Sequence, residues 1–144
     1  MTITHAGNVG IGTEIPASKL QVAGEARATF FTPTSDRNAK ENFTPVDPAD
    51  VLRKVAALPI TEWSYRSLGS TRHMGPVAQD FHAAFGLGAD DKGISTVDAD
   101  GVALAAIQAL NRKVEEKDAR IRELEQRMER LERLLNTSTP TPPR

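Results

Sequence analysis

The sequence predicts an α+β fold in three parts, and three features of the chain indicate it. Residues 1–34 alternate apolar and polar side chains between glycines, a pattern typical of short β-strands. Residues 35–100 mix helix and strand signals, which predicts a small mixed α/β domain. Residues 101–135 carry an apolar heptad repeat, which predicts a long helix in a parallel coiled coil. Residues 136–144 are polar and proline-rich, so we expect a disordered tail.

Composition narrows the function classes. The chain has 144 residues, of which 39% are hydrophobic and 26% charged, as in a soluble protein rather than a disordered or membrane one. Its net charge of -1 predicts neither a nucleic acid nor an anionic membrane as a partner. The absence of cysteine excludes disulfides and thiolate metal sites. The three histidines do not have a metal-binding spacing, so we predict no metal site. We also predict no cofactor and no small-molecule substrate.

Targeting signals are also missing from the printed sequence. The first residues lack the basic and apolar regions of a signal peptide. No apolar run approaches the roughly 18–20 residues that a membrane-spanning helix needs. We therefore expect folding in the cytoplasm and no membrane partner.

The first segment contains several short strand patterns. Val9 and Ile11 share one face around a glycine, and Leu20 and Val22 repeat the arrangement. A further strand is expected over residues 28–31. Strands this short and this poor in apolar residues cannot bury a core alone. The segment is therefore either a flexible tail or a β structure that intertwines with other copies of the chain.

The middle segment begins with a helix signal. Asp47 is a good N-cap, Pro48 suits the first helical position, and Pro59 stops the helix. The elements expected after it are a strand over residues 60–65, a helix over residues 78–85 and a last strand over residues 94–97.

The C-terminal heptads give the clearest single signal. Nine a and d positions run from Ile107 to Leu135 in alternating steps of three and four residues, and all but Lys117 are apolar. Asp98 or Asp100 is expected to cap the helix. The alternative is one amphipathic helix on its own globular core, but a helix of about 50 Å would extend well beyond so small a core.

The charges beside the heptads predict which chains pair. The g positions are basic and the e positions five residues later are acidic, which suits parallel, in-register copies of one chain. Ile or Val at a with Leu at d favours dimers, so the heptads alone leave the number of strands open. The three pairs are Lys113 with Asp118, Arg120 with Glu125, and Arg127 with Glu132.

Ser35 and Lys40 stand where the first segment meets the second. A serine hydroxyl is a weak nucleophile until a neighbouring base removes its proton, and a neutral lysine can do so. Five residues place two side chains about 140° apart on a helix and on opposite faces of a strand. Residues 35–40 must therefore turn if the pair is to meet. Taken alone, Ser35 is as well explained as a cap or turn residue, and Lys40 as a solvated surface lysine.

Several motifs in order resemble a known family. Ser35-Asp36 followed by Lys40-Glu41-Asn42 resembles the start of the intramolecular chaperone domain of phage tail spikes and tail fibres, the S74 peptidase family. That family includes endosialidase tailspikes and the autoproteolytic domain of the myelin regulatory factor. Trp63-Ser64-Tyr65, Gly75-Pro76-Val77-Ala78-Gln79-Asp80, and Val97-Asp98 before the heptads also match, so the resemblance covers about residues 35–135. The leader's Gly10-Ile11-Gly12-Thr13 is similar to repeats that precede this domain in fibre proteins.

The resemblance implies a function and a site. Three copies would fold together through the β leader and the 101–135 helix, so that the C-terminal domain guides assembly of a tail fibre or tailspike. The implied activity is that of an autoproteolytic serine endopeptidase acting once, in cis, on the Thr34–Ser35 bond. Ser35 would be the nucleophile and Lys40 the base, and the residues that could support them are Asp36, Asn38, His73, Gln79 and Asp80. The family has an arginine where this chain has Asn38.

The resemblance also implies where the products go, and it leaves two other functions open. The mature fibre part would end in a virion tail or phage-like particle after folding in a bacterial host. One alternative is a structural trimerisation cap that keeps the fold but never cuts. The other is a coiled-coil scaffold that binds another protein by helix pairing.

Overall fold

The computed structural model describes residues 1–67 and 69–138. The chain divides into two compact units. The first comprises Met1–Phe43 with Ile60–Val77, and the second comprises Thr44–Pro59 with the described residues from Ala78 onward. The architecture is mixed α/β, with small sheets and one long C-terminal helix, as the sequence predicts.

The first unit contains a three-stranded sheet in the order β1-β2-β3, formed by β1 (Thr2–Ile3), β2 (Val9–Ile11) and β3 (Leu20–Val22). β1 pairs antiparallel with β2, and β2 pairs parallel with β3. Two parallel strands that follow each other in the chain are usually joined by a helix. Here a short loop joins β2 to β3, so this part of the chain forms a single turn of a coil. β2 and β3 confirm predicted strands, whereas β1 is too short to show any alternation in the sequence.

One face of this sheet is apolar and uncovered. Ile3 pairs with Val9, Val9 with Leu20, and Ile11 with Val22, and directly paired residues project to the same face. Leu20 is 60% exposed, and Ile3 and Ile11 are exposed as well. The leader is thus folded into strands, but it leaves an apolar surface facing water.

Two glycines allow the chain to leave β2. A Cβ atom on the buried Gly10 would lie 2.4 Å from the backbone oxygen of Thr13, and Gly12 has a φ of +74°, a conformation that glycine adopts without strain. Asn8, which precedes this turn, is linked to the segment after it, because its Nδ2 donates a hydrogen bond to the backbone oxygen of Pro16 at 3.2 Å. The Gly10–Thr13 motif is therefore a turn whose close backbone approach excludes a side chain.

The first unit also contains a β-hairpin, β4 (Thr61–Trp63) with β5 (His73–Gly75). The predicted strand over residues 60–65 forms only in its middle. Residues 28–31, also predicted as a strand, are not in one, because no neighbouring segment pairs with them. Pairing of Trp63 with His73 brings their rings into a stack with centroids 4.9 Å apart.

The second unit is built from α1 (Pro48–Ala57), α2 (Ala78–Phe85) and α3 (Thr96–Ser138). Asp47 caps α1 as predicted, accepting a hydrogen bond from the Ala49 amide at 3.0 Å. Pro59 follows the end of the helix. α2 matches its predicted bounds and ends at Gly86, whose φ of +65° suits a residue that terminates a helix.

A small core holds these helices together. Val51 of α1 and Phe81 of α2 are 6% and 5% exposed. Two alanines of α3, Ala106 and Ala109, are buried too, and their small side chains let α1 pack closely against α3. Burial of each large apolar side chain contributes about 1.5–3 kcal/mol. The stability of one chain alone therefore rests on few residues.

The start of α3 corrects two predictions. The Ser95 carbonyl accepts hydrogen bonds from the Asp98 and Ala99 amides at 3.1 and 3.0 Å, so Ser95 precedes the helix. The predicted strand over residues 94–97 is wrong because its β-branched residues continue directly into the first turn. Neither Asp98 nor Asp100 is the cap. Asp98 lies inside the first turn, where its charge interacts favourably with the helix dipole.

α3 also ends later than expected. It continues to Ser138, so the disordered tail predicted from residue 136 is wrong for its first residues. The rest of that tail, residues 139–144, lies outside the described residues. Within the described chain, every helix is too short or too polar to cross a membrane.

Asp50 makes the stability of α1 dependent on pH. Lys54 at 3.0 Å and Arg53 at 2.5 Å donate to its carboxylate and hold the pKa of Asp50 below its ordinary value. A pKa lowered by folding stabilises the fold above the unfolded pKa, and this is lost as pH falls through the folded pKa. We expect Asp50→Asn to lower the melting temperature at about pH 6 but not at about pH 2. Circular dichroism can measure this, and Asp91→Asn, at an exposed carboxylate, is the matched control.

Candidate functional site

A single 3₁₀ turn forms the junction between the leader and the rest of the chain. The turn spans Arg37–Ala39, and the Asp36 carboxylate precedes it as the N-cap. Asp36 Oδ1 accepts hydrogen bonds from the backbone N and from the side-chain Nδ2 of Asn38, at 2.9 and 3.2 Å. Backbone hydrogen bonds from Ala39 to Asp36 and from Lys40 to Arg37 close it. The predicted turn over residues 35–40 is present.

This turn brings Ser35 and Lys40 into contact. Lys40 Nζ donates a hydrogen bond to Ser35 Oγ at 2.7 Å, within the range expected between a nucleophile and its base. Both side chains are exposed, and Thr34, which carries the neighbouring peptide carbonyl, is exposed too. A hydroxyl and an amine therefore meet beside an accessible peptide bond.

The chain folds back immediately after the turn. Asn42 has a φ of 56°, a left-handed conformation that asparagine tolerates better than most residues. The guanidinium carbon of Arg37 then lies 5.3 Å from the centre of the Phe43 ring, a cation–π contact worth about 0.5–1 kcal/mol at an exposed site. The residue order alone does not predict this contact, because it depends on the backbone conformation of Asn42.

The other predicted support residues lie elsewhere. His73 stacks on Trp63 and meets Tyr65 edge-on, with no hydrogen bond to Ser35 or Lys40 among the described contacts. Gln79 and Asp80 lie in the first turn of α2, in the second unit, where Gln79 is exposed and Asp80 is half-buried. Asp36 and Asn38 form part of the turn between Ser35 and Lys40.

The described residues contain no cluster of side chains suited to a metal site. Across residues 1–67 and 69–138, no three His, Cys, Asp or Glu side chains cluster in a way that could hold a metal ion.

Residues 35–86 match a family model described as the chaperone of endosialidase, Peptidase_S74. This segment is an S74 chaperone domain. The match begins at Ser35 and contains the 3₁₀ turn, α1, the β4–β5 hairpin and α2. Asn38, where the resemblance implied an arginine, closes the turn of this S74 domain through Asp36.

A curated protein shares part of the chain. An uncharacterized protein of Dictyostelium discoideum is 34% identical over an alignment of 87 residues, and the alignment covers 54% of this chain and 8% of that protein. The chain thus spans a small fraction of that relative's length.

Loss of the Asp36 cap should loosen the turn that positions Lys40. Replacing a capping aspartate with alanine costs about 1 kcal/mol, or roughly fivefold in the population of the open turn. We expect Asp36→Ala to raise the hydrogen-exchange rate of the Asn38 amide by about that factor. Asp36→Asn keeps the acceptor oxygen and should exchange like the wild type. NMR-detected exchange measures both, and equal rates in Asp36→Ala and wild type would contradict the capping role.

Proposed function

We propose that this chain is an intramolecular chaperone that brings three copies together and then cuts its own backbone between Thr34 and Ser35. The assembly would complete a phage-type tail fibre or tailspike. The single observation that supports the cut most directly is the 2.7 Å hydrogen bond between Lys40 Nζ and Ser35 Oγ. It occurs at the first residue of the S74 match.

The proposed reaction uses the contact directly. Lys40 in its neutral form removes the hydroxyl proton of Ser35, and Ser35 Oγ attacks the carbonyl carbon of Thr34. The peptide C–N bond breaks as the nitrogen of Ser35 takes up a proton, leaving an ester between Thr34 and Ser35 Oγ. Water then hydrolyses the ester to the Thr34 carboxylate and the Ser35 hydroxyl. Ser35 becomes the first residue of the released chaperone.

Assembly would control when the cut occurs. Removal from water favours the neutral form of a lysine. Ser35 and Lys40 are exposed in the single chain, so in this proposal neighbouring copies supply the burial. The chain would therefore cut only after the copies have met, which makes cleavage a consequence of correct assembly.

Exposed apolar surface on α3 supports the meeting of copies. α1 packs against the face of α3 that contains Ala106 and Ala109, whereas the heptad side chains lie on a different face of the helix and are exposed. Ile107 and Leu131 are 61% and 60% exposed. An apolar stripe of this length marks an interaction surface. The remaining exposed members are Leu110, Val114, Ile121, Leu124, Met128 and Leu135.

The leader supports the same partner. The apolar face of its sheet, which contains Val9 and Leu20, has no cover within the sheet itself, and copies of the chain would each supply the missing side. Interwoven strands unfold slowly once the folding aid is gone, so the fibre would be kinetically trapped. In this proposal folding takes place in the cytoplasm of a bacterial host, and residues 1–34 stay with the virion tail.

The cut is tested by fragment mass. Assembled wild-type protein should give two products, residues 1–34 and 35–144, on a denaturing gel and by intact mass. Ser35→Ala removes the nucleophile and Lys40→Arg keeps the charge but removes the base, so each should leave full-length protein. Lys92→Ala, at another exposed lysine, should cut like the wild type. A wild-type chain that assembles but stays at 15.6 kDa would favour a structural trimerisation cap instead.

Self-association is tested at the α3 stripe. Ile121→Asp places a carboxylate in the proposed seam, where burial without a partner is costly, so multi-angle light scattering should show monomers. Ile121 is exposed in the single chain, so the α1–α3 core should remain folded by circular dichroism. Arg122→Ala, on the outer side of the helix, is the control. A monomeric wild type would contradict the proposal, and rapid cleavage of monomeric Ile121→Asp would contradict assembly-dependent timing.

A further inference from the structure

Lys117 interrupts the apolar stripe of α3. It occupies a d position between Val114 and Ile121, and it is exposed in the single chain. Its helix neighbours three or four residues away are two basic and two apolar residues, Lys113, Arg120, Val114 and Ile121. Its own helix therefore offers no carboxylate at the spacing that forms ion pairs.

Some basic residues of α3 form ion pairs within the helix. Arg120 and Arg127 both pair with Glu123, at 2.6 and 2.5 Å. Among the ion pairs of the described residues, none involves Lys117. The lone charge on the stripe thus has no partner in its own chain.

The charges beside the stripe repeat with the heptad and cannot set the register alone. In register, Arg120 at g faces Glu125 at e of the next copy. After a shift of one heptad, Arg120 would face Glu132 and Lys113 would face Glu125, which are again basic-to-acidic pairs. The repeated charges therefore select parallel copies but match nearly as well when the copies slip by seven residues.

We propose that Lys117 is the residue that sets the register between copies, an inference that rests on the proposed self-association. In register, all copies place Lys117 in one layer, beside Asp118 at the e position against which a d side chain of the neighbour packs. After a one-heptad slip, lysines enter the layers of Leu110 and Leu124, so two apolar layers receive a charge instead of one. In register the lysines share one layer, but each lies beside an Asp118 carboxylate of the neighbouring copy, and this costs less than placing ammonium groups in two otherwise apolar layers.

The partner that fits this surface is a second copy of this chain in the same register. A partner helix with an apolar side chain opposite Lys117 would leave the ammonium buried without a counter-charge. Register also matters beyond the seam, because α1 packs on the start of α3 at Ala106 and Ala109. Aligned helices therefore bring the second units of all copies to the same level.

The absence of cysteine makes the register measurable with single introduced thiols. Full-length Leu124→Cys and Leu131→Cys chains are mixed, refolded together and equilibrated in a glutathione redox buffer. Disulfides between like positions report the in-register seam, and disulfides between residues 124 and 131 report a one-heptad slip. Peptide mass spectrometry gives the ratio of slipped to in-register links. We expect a low ratio with Lys117 and a rise of about tenfold or more with Lys117→Leu.

Three further variants separate the role of Lys117 from general effects. Lys117→Arg keeps a charge in the layer and should keep the low ratio. Arg112→Leu makes the same kind of change at an f position, outside the stripe, and should also leave the ratio low. Lys117→Met should raise the ratio as Lys117→Leu does, and it replaces that variant if Lys117→Leu aggregates.

Two results would overturn the inference, and they differ in what they say about the proposed function. If cross-links form but Lys117→Leu and Lys117→Met leave the ratio unchanged, another feature sets the register and self-association still stands. If neither kind of cross-link forms and light scattering finds monomers, self-association itself fails and the register role fails with it.

Discussion

α3 has two apolar faces, and this chain covers only one of them. Ala106 and Ala109 pack under α1, while Ile107 and the heptad side chains that follow it remain in water. Apolar burial is the main favourable term in folding, so an uncovered apolar stripe of this length marks an interaction surface. The core around Val51 and Phe81 is small, so one chain alone gains little free energy of folding from apolar burial. Self-association is therefore the condition on which the proposed chaperone role depends.

The geometry of the candidate site lies within one short segment, whereas the proposed cut also requires burial by other copies of the chain. The Asp36 cap and the 3₁₀ turn bring Lys40 Nζ to Ser35 Oγ within one short segment of the chain. Both side chains are exposed in the single chain, so the burial that the proposed cut requires would come from neighbouring copies. The single chain already has the geometry, and partner copies would add the burial. Together they would give a protease that cuts once, after assembly.

Sequence patterns predicted best those elements whose signals lie within a few residues. The Asp47 cap, the Pro48 start and the α2 bounds follow from such local rules, and the structure confirms them. The patterns failed where neighbours decide the outcome. Residues 94–97 have strand-forming side chains, but α3 begins at Thr96 and therefore includes the last two of them. Residues 28–31 find no strand to pair with, and β1 exists only because β2 lies beside it.

For the site, the sequence by itself determined the Ser35 and Lys40 pair, the need for a turn between them, and the likeness to the S74 family. It also determined the heptads, since a periodic stripe is a property of the residue order alone. The tertiary structure alone decided that His73 packs on Trp63, because that contact depends on strand register. It also decided which face of α3 stays uncovered, because only the packing of α1 against Ala106 and Ala109 separates the two apolar faces of one helix.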